Sequence, residues 1–322
     1  MKKKLKVLLT GPIYEGALAR LRRKADIQFA PPRATESDLI DLMKQQKIDI
    51  LIVRRGNISH DVIAAASCLK AIIKHGVGVN NIDIEEARER NIPMFYTPRA
   101  NSEAVAEHAL ALMLILAKQI HRFDQKMKAT KKWLKGEYQP IEIQGKYLGL
   151  IGLGRIGRRL VELVQPFRMK VLTFDPLLSV TDFPPTVQRV ELIDKLIATA
   201  DIISIHCPLT KQTKHMIGPR ELSMMKNTAL IINTARGGII DQEALIQALQ
   251  NQTIRGAGLD TFEQEPLPSN SPLFQLENVV ITPHIGGTAR ESFIRMGEES
   301  VQIALKIIEG RINEINPEFR VL

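Results

Sequence analysis

Three apolar runs in the second half of the chain are each followed by side chains that could do chemistry. Arg236 lies just beyond "ALIINT", Asp260 and Glu265 lie beyond "GAGL", and His284 lies beyond "VVIT". A histidine can take and return a proton near neutral pH, and a carboxylate beside it favours the imidazolium form. An arginine offers a planar fork that can hold a carboxylate and polarise a carbonyl. These residue types together suit proton transfer on a small anionic substrate.

Each of these residues also has a purely structural interpretation. Arg236 could be a surface arginine in a turn, Glu265 a solvated loop residue, Asp260 a cap or turn residue, and His284 a buried, hydrogen-bonded histidine. Their shared position argues against four structural roles. If the runs are parallel strands, all four side chains stand at the carboxyl ends of strands, where open α/β sheets bind ligands. We therefore treat Arg236, Glu265 and His284 as candidate catalytic residues.

The elements that would position these residues are short strands that alternate with amphipathic segments, a pattern that predicts parallel sheets with helices on both faces. Nine runs are interpreted as strands: KVLLT, DILIV, KAIIKHG, KYLGLIG, MKVLTFD, DIISIHC, TALIINT, IRGAGLD and NVVIT. A long helix is expected from about Asn101. It is apolar on nearly every side, so we expect it to be buried by a domain interface or by a partner chain. A last helix is expected from about Thr288 to Gly310.

The stretch "KYLGLIGLGRIGRRL" places Gly152, Gly154 and Gly157 in the spacing G-x-G-x-x-G between a predicted strand and a predicted helix. Such glycines permit a tight turn, a close approach to a pyrophosphate and close packing of strand and helix, while the helix N-terminus offers N–H groups to phosphates. Asp175 ends the next predicted strand, 18 residues after the last glycine. That is near the spacing of roughly 20 expected of an acid that binds an adenosine ribose. The context predicts a dinucleotide site, and the carboxylate favours NAD over NADP.

Length and composition narrow the class of protein. At 322 residues the chain can hold two hydrophobic cores. No apolar run reaches the roughly 18 residues of a membrane span, and the start "MKKKLKVLLTG" is interpreted as a strand rather than a signal peptide. Two cysteines, Cys68 and Cys207, form no disulfide framework or metal-type spacing, so no metal and a cytoplasmic location are expected. The net charge of +9 is spread along the chain, which favours a solvated face or attraction for small anions over nucleic-acid binding.

The chain resembles the family of D-isomer-specific 2-hydroxyacid dehydrogenases nearly from end to end, and most closely its phosphoglycerate dehydrogenase-like branch. The segments that carry the resemblance stand in the family's order: HGVGVNNID, NSEAVAEHAL, GLIGLGRIGRRL, HCPLT, INTARGG, GLDTFEQEP and TPHIGG. One departure is Asn80, where the family more often has an aspartate. Because the sequence ends at residue 322, the serine feedback that acts through the regulatory domain of longer phosphoglycerate dehydrogenases is not expected.

The resemblance implies an α/β fold of two doubly wound parallel-sheet domains. A Rossmann-type NAD-binding domain, residues 99–287, would be inserted in a flavodoxin-like substrate domain, residues 1–98 and 288–322. The resemblance also implies a homodimer that forms through the long helix after residue 100 and the segment that follows it. Trp133 lies in that segment and is interpreted either as an interface residue or as a residue that reaches the cleft of a neighbouring subunit.

The resemblance assigns roles to individual residues. It implies that Arg236 binds the substrate carboxylate and carbonyl, that His284 exchanges the proton, and that Glu265 pairs with His284. Cofactor-binding residues are expected at Gly152, Gly154, Arg155, Ile156, Gly157, Asp175, His206, Cys207, Pro208, Thr213, Thr234, Ala235, Arg236, Asp260, His284 and Gly286. Substrate-binding residues are expected at Arg54, Lys74, His75, Gly76, Val77, Gly78, Arg236 and His284. Cys207 is expected to line the cofactor and not to act as a nucleophile.

These observations predict an NAD-dependent oxidoreductase that moves a hydride between nicotinamide and C2 of a D-2-hydroxy acid or 2-keto acid. D-3-phosphoglycerate is one candidate substrate, because an arginine at the position of Arg54 faces the substrate in phosphoglycerate-type enzymes. Hydroxypyruvate and glyoxylate stay open. An alternative of another class is an NAD(H)-sensing binding scaffold without turnover, as in the corepressor relatives. Neither a nucleic-acid nor a membrane partner is expected.

Overall fold

The computed structural model describes residues 4–322, which form two compact units. The first unit comprises residues 4–101 together with Thr288–Leu322, and the second comprises Ser102–Gly287. Each unit is built on one parallel sheet with its own hydrophobic core.

The first unit contains a five-stranded parallel sheet. Its strands are β1 (Lys6–Leu9), β2 (Asp26–Phe29), β3 (Ile50–Val53), β4 (Ala71–Lys74) and β5 (Met94–Phe95), and its first helices are α1 (Glu15–Lys24), α2 (Glu36–Gln46), α3 (His60–Ala64) and α4 (Ile84–Glu89). The strand order is β2-β1-β3-β4-β5, which is the flavodoxin-like order. Every residue of β3 and β4 is buried, including Lys74 at the end of β4, as their apolar runs ILIV and AII predict for strands covered on both faces.

The second unit contains a seven-stranded parallel sheet. Its helices are α5 (Ser102–Lys118), α6 (Ile120–Thr130), α7 (Arg155–Val164), α8 (Ile193–Thr199), α9 (Pro219–Met224) and α10 (Gln242–Gln250). Its strands are β6 (Tyr147–Ile151), β7 (Lys170–Phe174), β8 (Val187–Arg189), β9 (Ile202–Ile205), β10 (Leu230–Asn233), β11 (Gly256–Leu259) and β12 (Val279–Ile281). The strand order is β12-β11-β10-β9-β6-β7-β8. The order reverses between β6 and β9, and such a switch point is where open α/β sheets bind ligands.

The long apolar helix α5 is buried largely in the core of its own unit. Ala106, Ala109, Leu112 and Met113 of α5 pack in the core with residues of the sheet and of α7. The helix ends at Lys118 because Gln119 adopts a left-handed backbone with φ 53°, after which α6 begins.

The chain returns to the first unit through α11 (Arg290–Ile308), which packs on α1 and β4. The two strand orders confirm the predicted fold class, with one flavodoxin-like and one Rossmann-type sheet. Among the described residues no single helix has the length and apolar composition of a membrane span. Helices α5 and α6, bent by 59°, meet both criteria only as a pair.

Candidate active site

The three candidate catalytic residues lie beyond three neighbouring strands of the second unit. Arg236 follows β10, Glu265 follows β11 and His284 follows β12, and these strands are adjacent in that order. Because all strands of this sheet are parallel, the three loops all leave the carboxyl ends of the strands, on the same side of the sheet. The sheet therefore brings together the residue types that the sequence places after separate apolar runs.

His284 and Glu265 form a hydrogen-bonded pair. The ring Nδ1 of His284 lies 2.7 Å from Oε2 of Glu265, while Oε1 of Glu265 accepts a hydrogen bond from the Phe262 N–H at 3.1 Å. Burial would raise the pKa of Glu265, but these two hydrogen bonds and the nearby positive charges hold it below its usual value. Since Glu265 engages Nδ1, the other ring nitrogen, Nε2, is the one that can exchange a proton with a substrate.

The Asp260 carboxylate accepts hydrogen bonds from residues on both sides of His284. Its Oδ1 accepts hydrogen bonds from the Thr282 hydroxyl at 2.6 Å and the Ile285 N–H at 2.9 Å, and its Oδ2 accepts one from the Gly286 N–H at 2.8 Å. Asp260 is only 1% exposed. Burial would raise its pKa, but its hydrogen bonds lower it, so the carboxylate is charged at neutral pH.

This arrangement explains two unusual backbone features of the loop. His284 has φ 54°, in the left-handed region that costs a residue with a side chain roughly 1 kcal/mol or more. The His284 N–H donates to the Asp260 carbonyl at 2.9 Å, which helps to hold that conformation. A Cβ on Gly286 would stand 2.9 Å from the Asp260 carboxylate, so this glycine allows the carboxylate to approach.

The loop that carries Arg236 packs directly on the loop that carries Glu265. A Cβ on Gly237 would stand 1.9 Å from the Phe262 carbonyl carbon, so only glycine permits this approach. The Arg236 side chain donates from Nη1 to the Ala235 carbonyl at 2.7 Å. Burial lowers the pKa of the Arg236 guanidinium, and the charge of Glu265 opposes that shift. The guanidinium therefore stands in the electrostatic field of the His284–Glu265 pair.

A second histidine–carboxylate pair lies in the same unit. Nε2 of His215, in the loop after β9, is 2.7 Å from Oε1 of Glu263. Glu263 also accepts a hydrogen bond from the Gln242 N–H at the start of α10, at 3.3 Å. The nitrogen–oxygen distance is the same as in the His284 pair. The positive charge of Arg236, however, interacts with Glu265, the partner of His284, and this favours His284 as the reacting histidine.

The glycine loop between β6 and α7 fits a dinucleotide. Gly152 has φ 96°, and a Cβ there would stand 2.8 Å from the Cys207 backbone nitrogen. A Cβ on Gly157 would stand 2.5 Å from the Gly152 carbonyl oxygen, whereas one on Gly154 would meet no atom within 4 Å. The turn therefore needs its first and last glycines for packing, and its middle glycine leaves room for a close approach at the N-terminus of α7.

Asp175 lies at the end of β7, next to the glycine loop. Its Oδ2 accepts a hydrogen bond from the Leu153 N–H at 2.8 Å, and its Oδ1 accepts one from the Leu177 N–H at 3.0 Å. The exposed Arg155 and the half-buried Ile156 begin α7 directly after this loop. A carboxylate in this place fits the ribose contact that the sequence spacing predicts.

The residues after β9 and β10 would form a wall beside the cofactor. Nε2 of His206 lies 2.8 Å from the Ser204 hydroxyl, and burial lowers the pKa of His206 to about 4. Burial raises the pKa of Cys207 to about 11, so its thiol is protonated at neutral pH and a poor nucleophile. The Thr213 hydroxyl donates to the Pro208 carbonyl at 2.7 Å. Beyond β10, Thr234 is buried and its hydroxyl has no hydrogen-bond partner among residues 4–322.

In the first unit, Arg54 and His75 pack against one aromatic ring. The Arg54 guanidinium carbon lies 4.8 Å from the centre of the Phe293 ring, and the His75 ring centre lies 5.7 Å from it. Arg54 also donates from Nη1 to the Pro12 carbonyl at 2.7 Å. Burial and the charges of Arg54 and Lys74 lower the pKa of His75 to about 4, so its ring is neutral at physiological pH.

The backbone expected to bind a substrate carboxylate is already partly used. The His75 N–H donates to the Val53 carbonyl at 2.9 Å, and the Gly76 N–H donates to the Thr97 hydroxyl at 2.9 Å. Any backbone donor to a substrate in this segment is therefore on Val77 or Gly78, a correction to the wider expectation for residues 75–78. Lys74 is 8% exposed and donates to Asn81 Oδ1 at 2.8 Å.

Sequence reasoning missed several residues that shape these sites. His108, Thr282 and Phe293 have no assigned role in it, although each contacts or orders a predicted site residue. The signals were weak: a single histidine at the head of an apolar helical run, a threonine two residues before His284, and an aromatic residue in the last helix. Within the described part of the chain, no three His, Cys, Asp or Glu side chains are grouped so as to hold a metal ion.

Comparison with known proteins agrees with this architecture. The family model described as "D-isomer specific 2-hydroxyacid dehydrogenase, NAD binding domain" matches residues 110–286. A D-3-phosphoglycerate dehydrogenase of Methanocaldococcus jannaschii is 38% identical over 96% of this chain, and the match spans 59% of the length of that relative. A hydroxypyruvate reductase of Thermotoga maritima is 37% identical over 94% of this chain and 97% of its own length.

The fold has a similar counterpart among solved structures. A D-lactate dehydrogenase of Aquifex aeolicus, crystallised with NAD and lactic acid, superposes with a TM-score of 0.87 at 29% identity. The superposition covers 98% of each of the two chains.

Proposed function

Because the chain belongs to the family of D-isomer-specific 2-hydroxyacid dehydrogenases, which are NAD-dependent oxidoreductases, we propose that it interconverts a D-2-hydroxy acid and its 2-keto acid. The observation that carries this proposal is the His284–Glu265 pair at 2.7 Å, set beside Arg236 on the unit that holds the glycine loop. An acid–base residue and a cation for the substrate are what this reaction requires.

The cofactor would be held by features of the second unit. The glycine loop and the N-terminus of α7 would bind the pyrophosphate, and Asp175 would bind the adenosine ribose. The wall residues after β9 and β10, with Ala235, would line the rest of the cofactor. NAD, when bound, supplies the acceptor or donor for the hydride at C2 of the substrate.

The reacting side chains would divide the remaining work. In oxidation the neutral His284 imidazole takes the hydroxyl proton at Nε2, and in reduction the imidazolium returns it. The Glu265 carboxylate fixes the ring through Nδ1 and so leaves Nε2 for the substrate. Arg236 holds the substrate carboxylate and polarises the oxygen at C2, for which a planar guanidinium is suited.

The first unit supports a substrate with a second acidic group. Within residues 4–322 the Arg54 guanidinium has no carboxylate partner, and burial and the charge of Arg55 lower its pKa, so a bound anion would stabilise its positive charge. A phosphorylated acid such as D-3-phosphoglycerate would supply that anion. Lys74 pairs in register with Val53, the residue before Arg54. Hydroxypyruvate and glyoxylate lack the second charge, so they are the alternative substrates to compare.

The proposal is tested by NADH oxidation with 3-phosphohydroxypyruvate, hydroxypyruvate, glyoxylate and pyruvate. We expect turnover on at least one of these acids, with the phosphorylated acid preferred. NADH binding without turnover on any of them, in the presence of correctly folded protein, would contradict the enzyme and favour the NAD(H)-sensing scaffold.

We further propose a homodimer in the cytoplasm. Helix α6 has no buried residue, it exposes Ile120 and Met127, and the following Trp133 is 82% exposed. A second copy of the chain would cover these apolar side chains. Both cysteines are free, which fits a reducing compartment. Sedimentation should give about twice the chain mass of 36.1 kDa, and a monomer at micromolar concentration would contradict the dimer.

A further inference from the structure

We propose that His108 is a positioning residue that fixes the His284 loop through Thr282 and Asp260. The kinetic part of this inference rests on the proposed function, whereas the structural part does not. His108 lies on α5, distant in sequence from the loop it contacts, and it belongs to neither histidine–glutamate pair.

The hydrogen bonds give this contact a direction. Nε2 of His108 lies 3.0 Å from the Thr282 hydroxyl, and that hydroxyl donates its only hydrogen to Asp260 Oδ1 at 2.6 Å. The hydroxyl must therefore accept from His108, whose Nε2 carries the proton. The same Nε2 stands 3.5 Å from Asp260 Oδ1, so its positive edge also faces the carboxylate.

The chain of hydrogen bonds ends on the segment that carries the reacting imidazole. The Asp260 carboxylate accepts a hydrogen bond from the Thr282 hydroxyl, which precedes His284 in the chain. It also accepts hydrogen bonds from the N–H groups of Ile285 and Gly286, which follow His284. A donor that polarises the Thr282 hydroxyl strengthens the next hydrogen bond in the chain. His108 thereby helps to hold the left-handed backbone of His284 and the direction of its ring.

Close packing supports the same role. A Cβ on Gly286 would stand 3.4 Å from Cδ2 of His108, so the imidazole lies against the glycine turn of the loop. Helix α5 is buried against the sheet and begins at Ser102, the first residue of the second unit. A loop tied to such a rigid helix keeps its reacting group within the narrow range that catalysis requires.

The first test compares His108→Met with His108→Gln. Glutamine places an N–H donor about as far from Cβ as histidine Nε2, whereas methionine has a similar length and no donor. We expect His108→Met to lower kcat about tenfold, with KM and the NADH Kd within about twofold of wild type, as for a lost hydrogen bond that acts on the reacting group alone. His108→Gln should recover most of the loss.

The second test needs no turnover. Amide hydrogen exchange of peptides spanning residues 282–287 should be faster in His108→Met than in wild type, and near wild type in His108→Gln, because Ile285 and Gly286 donate to Asp260. If wild type has no activity on any acid, the proposed function fails, yet this exchange measurement still decides the role of His108.

Thr282 provides a second variant if His108→Met does not fold. Thr282→Val removes the hydroxyl and keeps the shape, and Thr282→Ser keeps the hydroxyl. The valine variant should show the same fall in kcat and the same faster exchange, and the serine variant should not. Wild-type kcat and exchange in the methionine or valine variant would overturn the inference, as would equal losses in His108→Met and His108→Gln, which would indicate packing alone.

Discussion

Nδ1 of His284 lies 2.7 Å from Oε2 of Glu265, beyond the carboxyl ends of the strands in the parallel sheet that also positions Arg236. In the proposed mechanism this contact leaves Nε2 to meet the substrate and places a negative charge beside the ring that takes the proton. Asp260, another acid after β11, is turned instead toward the backbone of the histidine loop. Two carboxylates from one loop thus have different tasks, one electrostatic and one structural.

Glu265→Gln should lower kcat by about 10- to 100-fold, the usual range for the loss of a charge-assisted contact. The glutamine keeps a polar partner for Nδ1 of His284 but removes the negative charge beside a ring that gains and loses a proton in the proposed reaction. Steady-state NADH oxidation at a saturating keto acid concentration measures this loss. Glu263→Gln, which changes the other histidine–glutamate pair, is the control and should leave kcat within about twofold of wild type. Equal kcat in Glu265→Gln and Glu263→Gln would count against the pairing as a catalytic device.

Arg236→Lys should lower kcat/KM by about 10²-fold, because lysine keeps the charge but loses the planar fork that binds a carboxylate through two N–H groups. Steady-state NADH oxidation over a range of keto acid concentrations measures this loss. Arg255→Lys is the matched control. Arg255 directly precedes β11, so it lies at the amino ends of the strands, whereas Arg236 lies beyond their carboxyl ends. If Arg236→Lys and Arg255→Lys have equal kcat/KM, then Arg236 does not bind the substrate.

Asp175→Asn should weaken the preference for NADH over NADPH by about tenfold, because the carboxylate repels a 2′-phosphate and the neutral amide does not. The asparagine oxygen can still accept a hydrogen bond from Leu153, so the glycine loop should keep its shape. Fluorescence titration with each cofactor gives the two dissociation constants. Asp194→Asn, which removes a surface partner of Arg220, should leave their ratio unchanged. An unchanged ratio in Asp175→Asn would contradict the ribose assignment.

Arg54→Met should discriminate between the candidate substrates. If Arg54 binds a phosphate, its loss should raise KM for 3-phosphohydroxypyruvate by roughly 10- to 100-fold and leave KM for glyoxylate within about twofold, since a charge-assisted contact is lost with one substrate only. The exposed neighbour Arg55 provides the control variant Arg55→Met. Equal effects of Arg54→Met on both substrates would rule out a phosphate-binding role.

Much of the fold could be predicted because the strands are buried on both faces. All nine apolar runs interpreted as strands are strands, and the glycine spacing located the turn between β6 and α7. The strands that were not predicted, β2, β5 and β8, all lie at sheet edges. They have two to four residues each, and an edge position leaves no need for a long unbroken apolar run.

The candidate site was predictable in its residue types but not in its connections. Residue chemistry placed a cation, two acids and an imidazole after successive strands. It did not tell whether Asp260 or Glu265 pairs with His284, for which only the family resemblance gave an expectation. The Thr282 and His108 contacts depend on the approach of a helix far away in sequence, and no local pattern encodes that approach. Likewise, the use of the Gly76 N–H by Thr97 could only be seen once β4 and the segment after β5 were packed together.

The most direct test of the central claim is the turnover of His284→Ala beside that of His215→Ala, each measured as NADH oxidation with the best keto acid. Each histidine has a glutamate oxygen at 2.7 Å, His284 through Nδ1 and His215 through Nε2, so the two differ in position and in the ring nitrogen that is left unpaired with glutamate. We expect His284→Ala to lose about 10²–10⁴-fold in kcat, the usual effect of removing a positioned acid–base group, while His215→Ala stays within a few-fold of wild type. Near-wild-type turnover in His284→Ala, with NADH binding intact, would contradict the account.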